Sequence, residues 1–107
     1  MPDGVFVQHD GRIATVVLNR PDKLNAMNGA CWILLDEIMS KLNDDDDIHC
    51  IIIRGVDSTA FSAGSDISDW SEHRTTPEDV RKYSNDLENS LNSVFSCRHP
   101  SIAAING

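Results

Sequence analysis

An α/β fold with strands brought side by side through helices is what this sequence predicts. Three observations predict it. Val5, Phe6 and Val7 are separated from Ile13-Ala14-Thr15-Val16-Val17-Leu18 by a segment containing Asp10-Gly11, and Asp-Gly between β-branched runs signals a hairpin because its turn needs positive φ. A segment of helical period then leads to a short apolar run, Cys50-Ile51-Ile52-Ile53-Arg54-Gly55, and strand, helix, strand suggests a right-handed crossover between parallel strands. A second and longer helical segment is again followed by such a run, Ser101-Ile102-Ala103-Ala104-Ile105.

The second strand of the hairpin is apolar almost throughout, which predicts cover on both faces. Asn19-Arg20-Pro21-Asp22-Lys23-Leu24-Asn25-Ala26 reads as a loop punctuated by proline. Asn28 is placed to cap a helix running to about Asn43. Cys31, Trp32, Leu34, Leu35, Ile38, Met39 and Leu42 form its apolar face, and Asp36, Glu37, Ser40 and Lys41 its polar one. Residues 44–47 are four consecutive acids. They lack the central glycine and distant glutamate of a calcium loop and read as a solvated turn. The run at 50–55 has the length and flanks of a buried parallel strand.

Thr76-Pro77-Glu78-Asp79 starts a helix, with threonine as cap, proline in the first position and acids in the first turn. It should reach about Ser96, with Val80, Tyr83, Leu87, Leu91, Val94 and Phe95 as its apolar stripe. Residues 101–105 are expected to be a buried strand, and Asn106-Gly107 a turn. A strand of small apolar residues normally feeds into something that covers it, so the unit reads as interrupted rather than finished.

The chain has 107 residues, enough for one small domain. Seventeen acidic side chains against nine basic ones give a net charge of −8. That charge argues against nucleic acid or an anionic membrane as partner. It does not oppose a small anion held by a local cation and backbone N–H groups. No stretch approaches the roughly 18–20 apolar residues of a membrane span. The first ten residues lack the basic start and apolar block of a signal peptide. The three cysteines, at 31, 50 and 97, form no CxxC pair and read as free thiols in a reducing cytoplasm. The four histidines have no HxxxH or HxH spacing, so no metal site is expected.

The segment that suggests chemistry is Ala63-Gly64-Ser65-Asp66-Ile67. Gly64 allows positive φ and a close approach of a ligand to the backbone. The N–H groups that follow suit an anion or a developing oxyanion. The same residues also fit a plain glycine turn between a strand and a helical turn over 67–70, with Asp66 capping. Lys23 can meet a phosphate as a point charge or stand as an ordinary solvated lysine, and Arg20 has the same two readings. Trp70 reads as packing or a pocket wall. A serine nucleophile at 65 is improbable, because no base lies near it in sequence.

Three motifs occur together in this order: Leu18-Asn19-Arg20-Pro21-Asp22-Lys23-Leu24-Asn25-Ala26-Met27, then Phe61-Ser62-Ala63-Gly64-Ser65-Asp66-Ile67, then His99-Pro100-Ser101-Ile102-Ala103-Ala104-Ile105-Asn106-Gly107. Their order and spacing resemble the N-terminal part of the enoyl-CoA hydratase/isomerase family, the crotonase superfamily, over essentially the whole chain. The resemblance implies a spiral of β-β-α units, incomplete over residues 1–107, usually assembled as trimers or pairs of trimers. It implies binding of an acyl-CoA thioester, with coenzyme A as part of the substrate and no separate cofactor. It implies that the Ser65 backbone N–H is one of two donors to an enolate-like oxyanion. The loop at Lys23 and Leu24 would lie along the coenzyme A moiety. Ala63, Gly64, Asp66 and Ile67 would be substrate-binding residues, with Ala63, Asp66 and Ile67 holding the adenine end largely through backbone groups.

The second donor loop and the acid–base glutamates would lie beyond residue 107. Since losing one such donor costs about 2.7–4 kcal/mol of transition-state stabilisation, a chain of this extent should be weakly active at most. The competing expectation is a non-catalytic chain that folds and binds coenzyme A or partner subunits without turnover. Two departures from the family pattern stand out: Ser68 replaces a frequent lysine, and His99 precedes Pro100 where lysine is common.

Overall fold

The computed structural model describes residues 3–68 and 76–107. Strands β1 (Gly4–Asp10) and β2 (Ile13–Asn19) form the expected antiparallel hairpin. Gly11, the first of its two turn residues, has φ +60°, the region that matches a tight turn to twisted strands. A 3-10 turn (Pro21–Lys23) leads to helix α1 (Gly29–Asn43). The Asn28 side chain accepts from the Cys31 N–H at 2.9 Å, so the cap acts as its residue type dictates. Strand β3 (Cys50–Gly55) lies parallel to β2. Helix α2 (Pro77–Phe95) starts at Thr76, whose side chain accepts from the Asp79 N–H. Strand β4 (Ser101–Ala104) pairs parallel to β3, and the sheet order is β1-β2-β3-β4.

The core lies between one face of this sheet and α1. Val5, Ala14, Val16, Leu18 and Ile51 from the strands meet Cys31, Leu35, Met39 and Leu42 from the helix. Val17, on the opposite face, is also buried, between its register neighbours Phe6 and Arg54, so β2 is covered on both sides over residues 16–18. Burial pushes the Cys31 thiol pKa up, which keeps it protonated and makes it a packing residue. Helix α2 packs on α1 rather than on the sheet. The contact includes a hydrogen bond from Trp32 Nε1 to the Tyr83 hydroxyl at 3.2 Å and one from the Ser93 hydroxyl to Asp36.

Two expectations need correcting. Residues 101–105 do not form a buried strand: every residue of β4 is exposed, and Ile102 and Ile105 lie open at 57% and 72%. The reason is topological, since β4 is the sheet edge and α1 lies over the β1 end. Likewise the stripe of α2 is only half covered: Tyr83 is buried, whereas Val80, Leu91 and Phe95 are exposed. An apolar groove of about 520 Å³ therefore stays open, lined by Leu18, Ile53 and Phe61 on one side and by Leu91, Val94 and Phe95 on the other. The acid run is the largely exposed turn expected, and it is also tied to the chain ahead of β4. Arg98 pairs with Asp46 and its N–H donates to Asn43 Oδ1, while His99 Nε2 lies 2.9 Å from the Asp45 carbonyl, so this turn anchors the approach to β4.

Burial sorts the apolar side chains by energetic weight. Met39 is fully buried and Phe95 is 91% exposed. Met39→Ala should destabilise by about 2–5 kcal/mol, and Phe95→Ala should change stability by no more than about 0.5 kcal/mol, both read from urea unfolding.

Candidate functional site

The loop at residues 20–27 and the segment at 60–66 are far apart in sequence but laced together in space. Leu24 and Asn25 both take left-handed backbone, with φ of 51° and 56°. Asparagine tolerates that region through local hydrogen bonds, while leucine is a costly occupant. The strain at Leu24 is held by its surroundings, because its carbonyl accepts from the Ala63 N–H at 3.0 Å. Asn25 is buried and uses every polar group it has. Its Oδ1 accepts from the Arg20 N–H (2.8 Å), its Nδ2 donates to the Ala60 carbonyl (3.1 Å), and its own carbonyl accepts from the Ser62 hydroxyl (2.8 Å). That hydroxyl in turn accepts from the Gly64 N–H at 3.1 Å. Gly55 makes room for the knot: a Cβ there would sit 2.2 Å from the Ala60 carbonyl oxygen and 2.9 Å from Asn25 Nδ2.

The two segments finish in a parallel bridge between Met27 and Ser65. The Met27 N–H donates to the Gly64 carbonyl at 2.7 Å, and the Asp66 N–H donates to the Met27 carbonyl at 2.9 Å. The Gly64–Ser65 peptide is trans, so its C=O and N–H point in opposite directions. With the carbonyl turned onto Met27, the Ser65 N–H points away from the loop. Among the described residues it has no hydrogen-bond partner. Gly64 meets this geometry with φ +96°, a region an L side chain would strain.

The predicted residues divide into two kinds. Gly64 and Ser65 form the turn and its outward amide. The Ala63 and Asp66 N–H groups are engaged internally, whereas the Ala63 carbonyl accepts no hydrogen bond from a described residue. Lys23 and Leu24 sit exposed on the adjoining turn, and Ile67 is 75% exposed. Arg20 does not stand out as a surface cation. Its Nη1 donates to the Ala26 carbonyl (2.6 Å) and to Asp66 Oδ2 (3.1 Å). Asp66 caps the next turn as well, its Oδ1 accepting from the N–H and hydroxyl of Ser68. The Ser68 hydroxyl first and Arg20 second hold its carboxyl below the usual value. Trp70 and the far part of the 67–70 turn lie outside the described residues. Asn25 and Gly55 were not singled out in the sequence; the available signals were an asparagine after a proline-set turn and a glycine closing a strand.

Among the described residues no group of three or more His, Cys, Asp or Glu side chains is placed to hold a metal ion, and no helix is long and apolar enough to cross a membrane.

A family model described as enoyl-CoA hydratase/isomerase matches residues 13–107. The chain belongs to this family. It is 30% identical to the short-chain-enoyl-CoA hydratase of Clostridium acetobutylicum, over 98% of this chain and 40% of that protein. It is 36% identical to the mitochondrial Delta(3,5)-Delta(2,4)-dienoyl-CoA isomerase of Rattus norvegicus, over 86% of this chain and 31% of that one. The fold superposes with a TM-score of 0.94 on the crystal structure of an enoyl-CoA hydratase/carnithine racemase from Magnetospirillum magneticum, at 37% identity, covering all of this chain and 40% of that one. This is the expected crotonase-like α/β arrangement, and the chain spans well under half the length of these family members.

Two measurements check the lacing. Gly55→Ala should destabilise by about 1–3 kcal/mol through overpacking against Ala60 and Asn25, seen as a lowered urea midpoint. The lowered pKa of Asp66 means that its contribution to stability is fully present above the ordinary value of 3.8 and is lost as pH falls through the folded value. The stability gap between the wild type and Asp66→Asn should thus be widest near neutral pH and close below pH 3.8.

Proposed function

We propose that this chain is the thioester-binding N-terminal part of an enoyl-CoA hydratase/isomerase-type enzyme, with hydration of an enoyl-CoA as the reaction. The observation that carries the reading is the Ser65 N–H, which has no partner among the described residues and is turned outward by the Met27 to Gly64 hydrogen bond. In this reaction the oxygen of water adds at C3 of the enoyl group and charge develops on the thioester oxygen. A peptide N–H fixed in that direction stabilises the charge without reorganising. The Ser65 hydroxyl plays no part. The second N–H donor and the acid–base carboxylates come, on this reading, from chain beyond residue 107.

Coenzyme A enters as part of the substrate and no other cofactor is invoked. Lys23 stands on the exposed turn where its ammonium can meet a phosphate, with Leu24 beside it. The Ala63 carbonyl offers an acceptor for the amino group of adenine, and Asp66 and Ile67 complete that wall of the site. The hydratase names among the relatives support the reaction class. The family reading carries a trimer or a pair of trimers as the assembly, and the three free cysteines suit the cytoplasm.

The test uses a CoA thioester of a 4-aminocinnamic acid, whose absorption moves to the red when its carbonyl accepts hydrogen bonds. The wild-type chain should bind it with a red shift. Ser65→Pro, which removes the N–H, should abolish the shift, and Ser65→Ala should keep it. No shift with the wild type, or an undiminished shift with Ser65→Pro, overturns the proposal.

A further inference from the structure

We infer that Arg20 is the positioning residue of this site, its guanidinium bracing both sides of the Met27–Ser65 bridge and so setting the direction of the Ser65 N–H. The inference rests on the function proposed above for that amide. It starts from one nitrogen. Arg20 Nη1 lies 2.6 Å from the carbonyl oxygen of Ala26 and 3.1 Å from Asp66 Oδ2. Ala26 immediately precedes Met27, and Asp66 immediately follows Ser65. The bridge is therefore pinned from outside its own hydrogen bonds, once on each strand, by a single rigid group.

The site of the brace is protected. The Arg20 and Asp66 side chains are only 14% and 11% accessible, which strengthens a charge-assisted contact relative to one in water. The base of the arginine is fixed as well, because its N–H donates to Asn25 Oδ1 and its carbonyl accepts from the Asn25 and Lys23 N–H groups. Asn25 shapes the 20–27 loop but reaches only Ala60 and Ser62, on one flank of the bridge. Arg20 alone among the described side chains spans from Ala26 to Asp66. Rotation of the Gly64–Ser65 peptide would break the 2.7 Å bond from Met27 to Gly64. Once the brace is gone, the bridge keeps only that bond and its partner at Asp66, with the Ala63 and Ser62 contacts on one flank. A guanidinium committed in this way is not free for a phosphate, so Lys23 is left as the cation of the loop for that task.

The test separates aiming from folding and from the function of the amide. Amide hydrogen exchange is followed in the wild type, Arg20→Gln and Arg20→Lys. In Arg20→Gln the Met27 amide should exchange roughly tenfold faster, the loss expected when a hydrogen bond to a charged group is removed. The Ile51 amide, bonded to the Pro100 carbonyl, should stay as protected as before, which shows that the fold survives. Arg20→Lys should restore part of the protection, since an ammonium also donates to a carbonyl and a carboxylate.

With the chromophoric thioester, Arg20→Gln should lose the red shift while affinity is kept. Met27 protection unchanged in Arg20→Gln overturns the inference. So does faster exchange with the red shift intact, because the brace would then hold the loop without aiming the amide. If the wild type gives no shift at all, the oxyanion role fails, and the exchange experiment still decides whether Arg20 orients the bridge.

Discussion

The Met27–Ser65 bridge is the constraint on which the site depends. It joins a loop fixed by proline and two left-handed residues to a glycine turn almost forty residues away. Neither segment could hold its shape alone. Leu24 in left-handed backbone is unfavourable by itself, and Gly64 alone leaves its neighbours free. Together they satisfy one another: the Leu24, Asn25 and Met27 carbonyls accept from Ala63, Ser62 and Asp66. An outward amide results because the neighbouring N–H groups, those of Met27, Ala63, Gly64 and Asp66, are all engaged within the two segments. Direction in this site is a by-product of hydrogen-bond satisfaction elsewhere.

Stiffness at the site contrasts with openness at the far edge. The sheet and α1 enclose a compact core, so the hairpin that leads into the 20–27 loop is firmly seated. β4 and the C-terminal half of α2 leave apolar side chains open to solvent. The candidate segment is thus anchored to the best-packed part of the molecule. It is anchored through the end of β2 and through Gly55 at the end of β3, where a missing side chain admits Asn25. Positions this close to the core transmit packing changes directly to the loops.

Most of the architecture could be read from local signals. The Asp10-Gly11 turn, the Asn28 cap and the Thr76-Pro77 start each encode their own boundary, and each appears where its chemistry places it. Burial was harder to read. The apolar run after Pro100 looks like a core strand, but burial depends on what lies across the sheet, and local sequence does not hold that information. The site was half visible for the same reason. Gly64 and Ser65 announce a turn by composition. Asn25 and Gly55 matter through partners 35 and 5 residues away respectively, and a contact between Asn25 and Ala60 has no local signature. Arg20 reads in sequence as a surface cation, because a sequence does not show which way a guanidinium faces.

A site built from the main chain suits a protein with a charge of −8. On the function proposed above, a side-chain cation would attract an anionic thioester strongly at every stage, in the ground state as much as in the transition state. A peptide dipole interacts weakly with a neutral carbonyl and more strongly with the oxyanion that develops from it. Its strength does not titrate, and its direction is set by the same bonds that fold the loop. Among the described residues the charged pair beside the bridge, Arg20 with Asp66, is closed on itself. The cation is spent on holding the backbone still, which is the property a dipole must have to discriminate between a carbonyl and the anion derived from it.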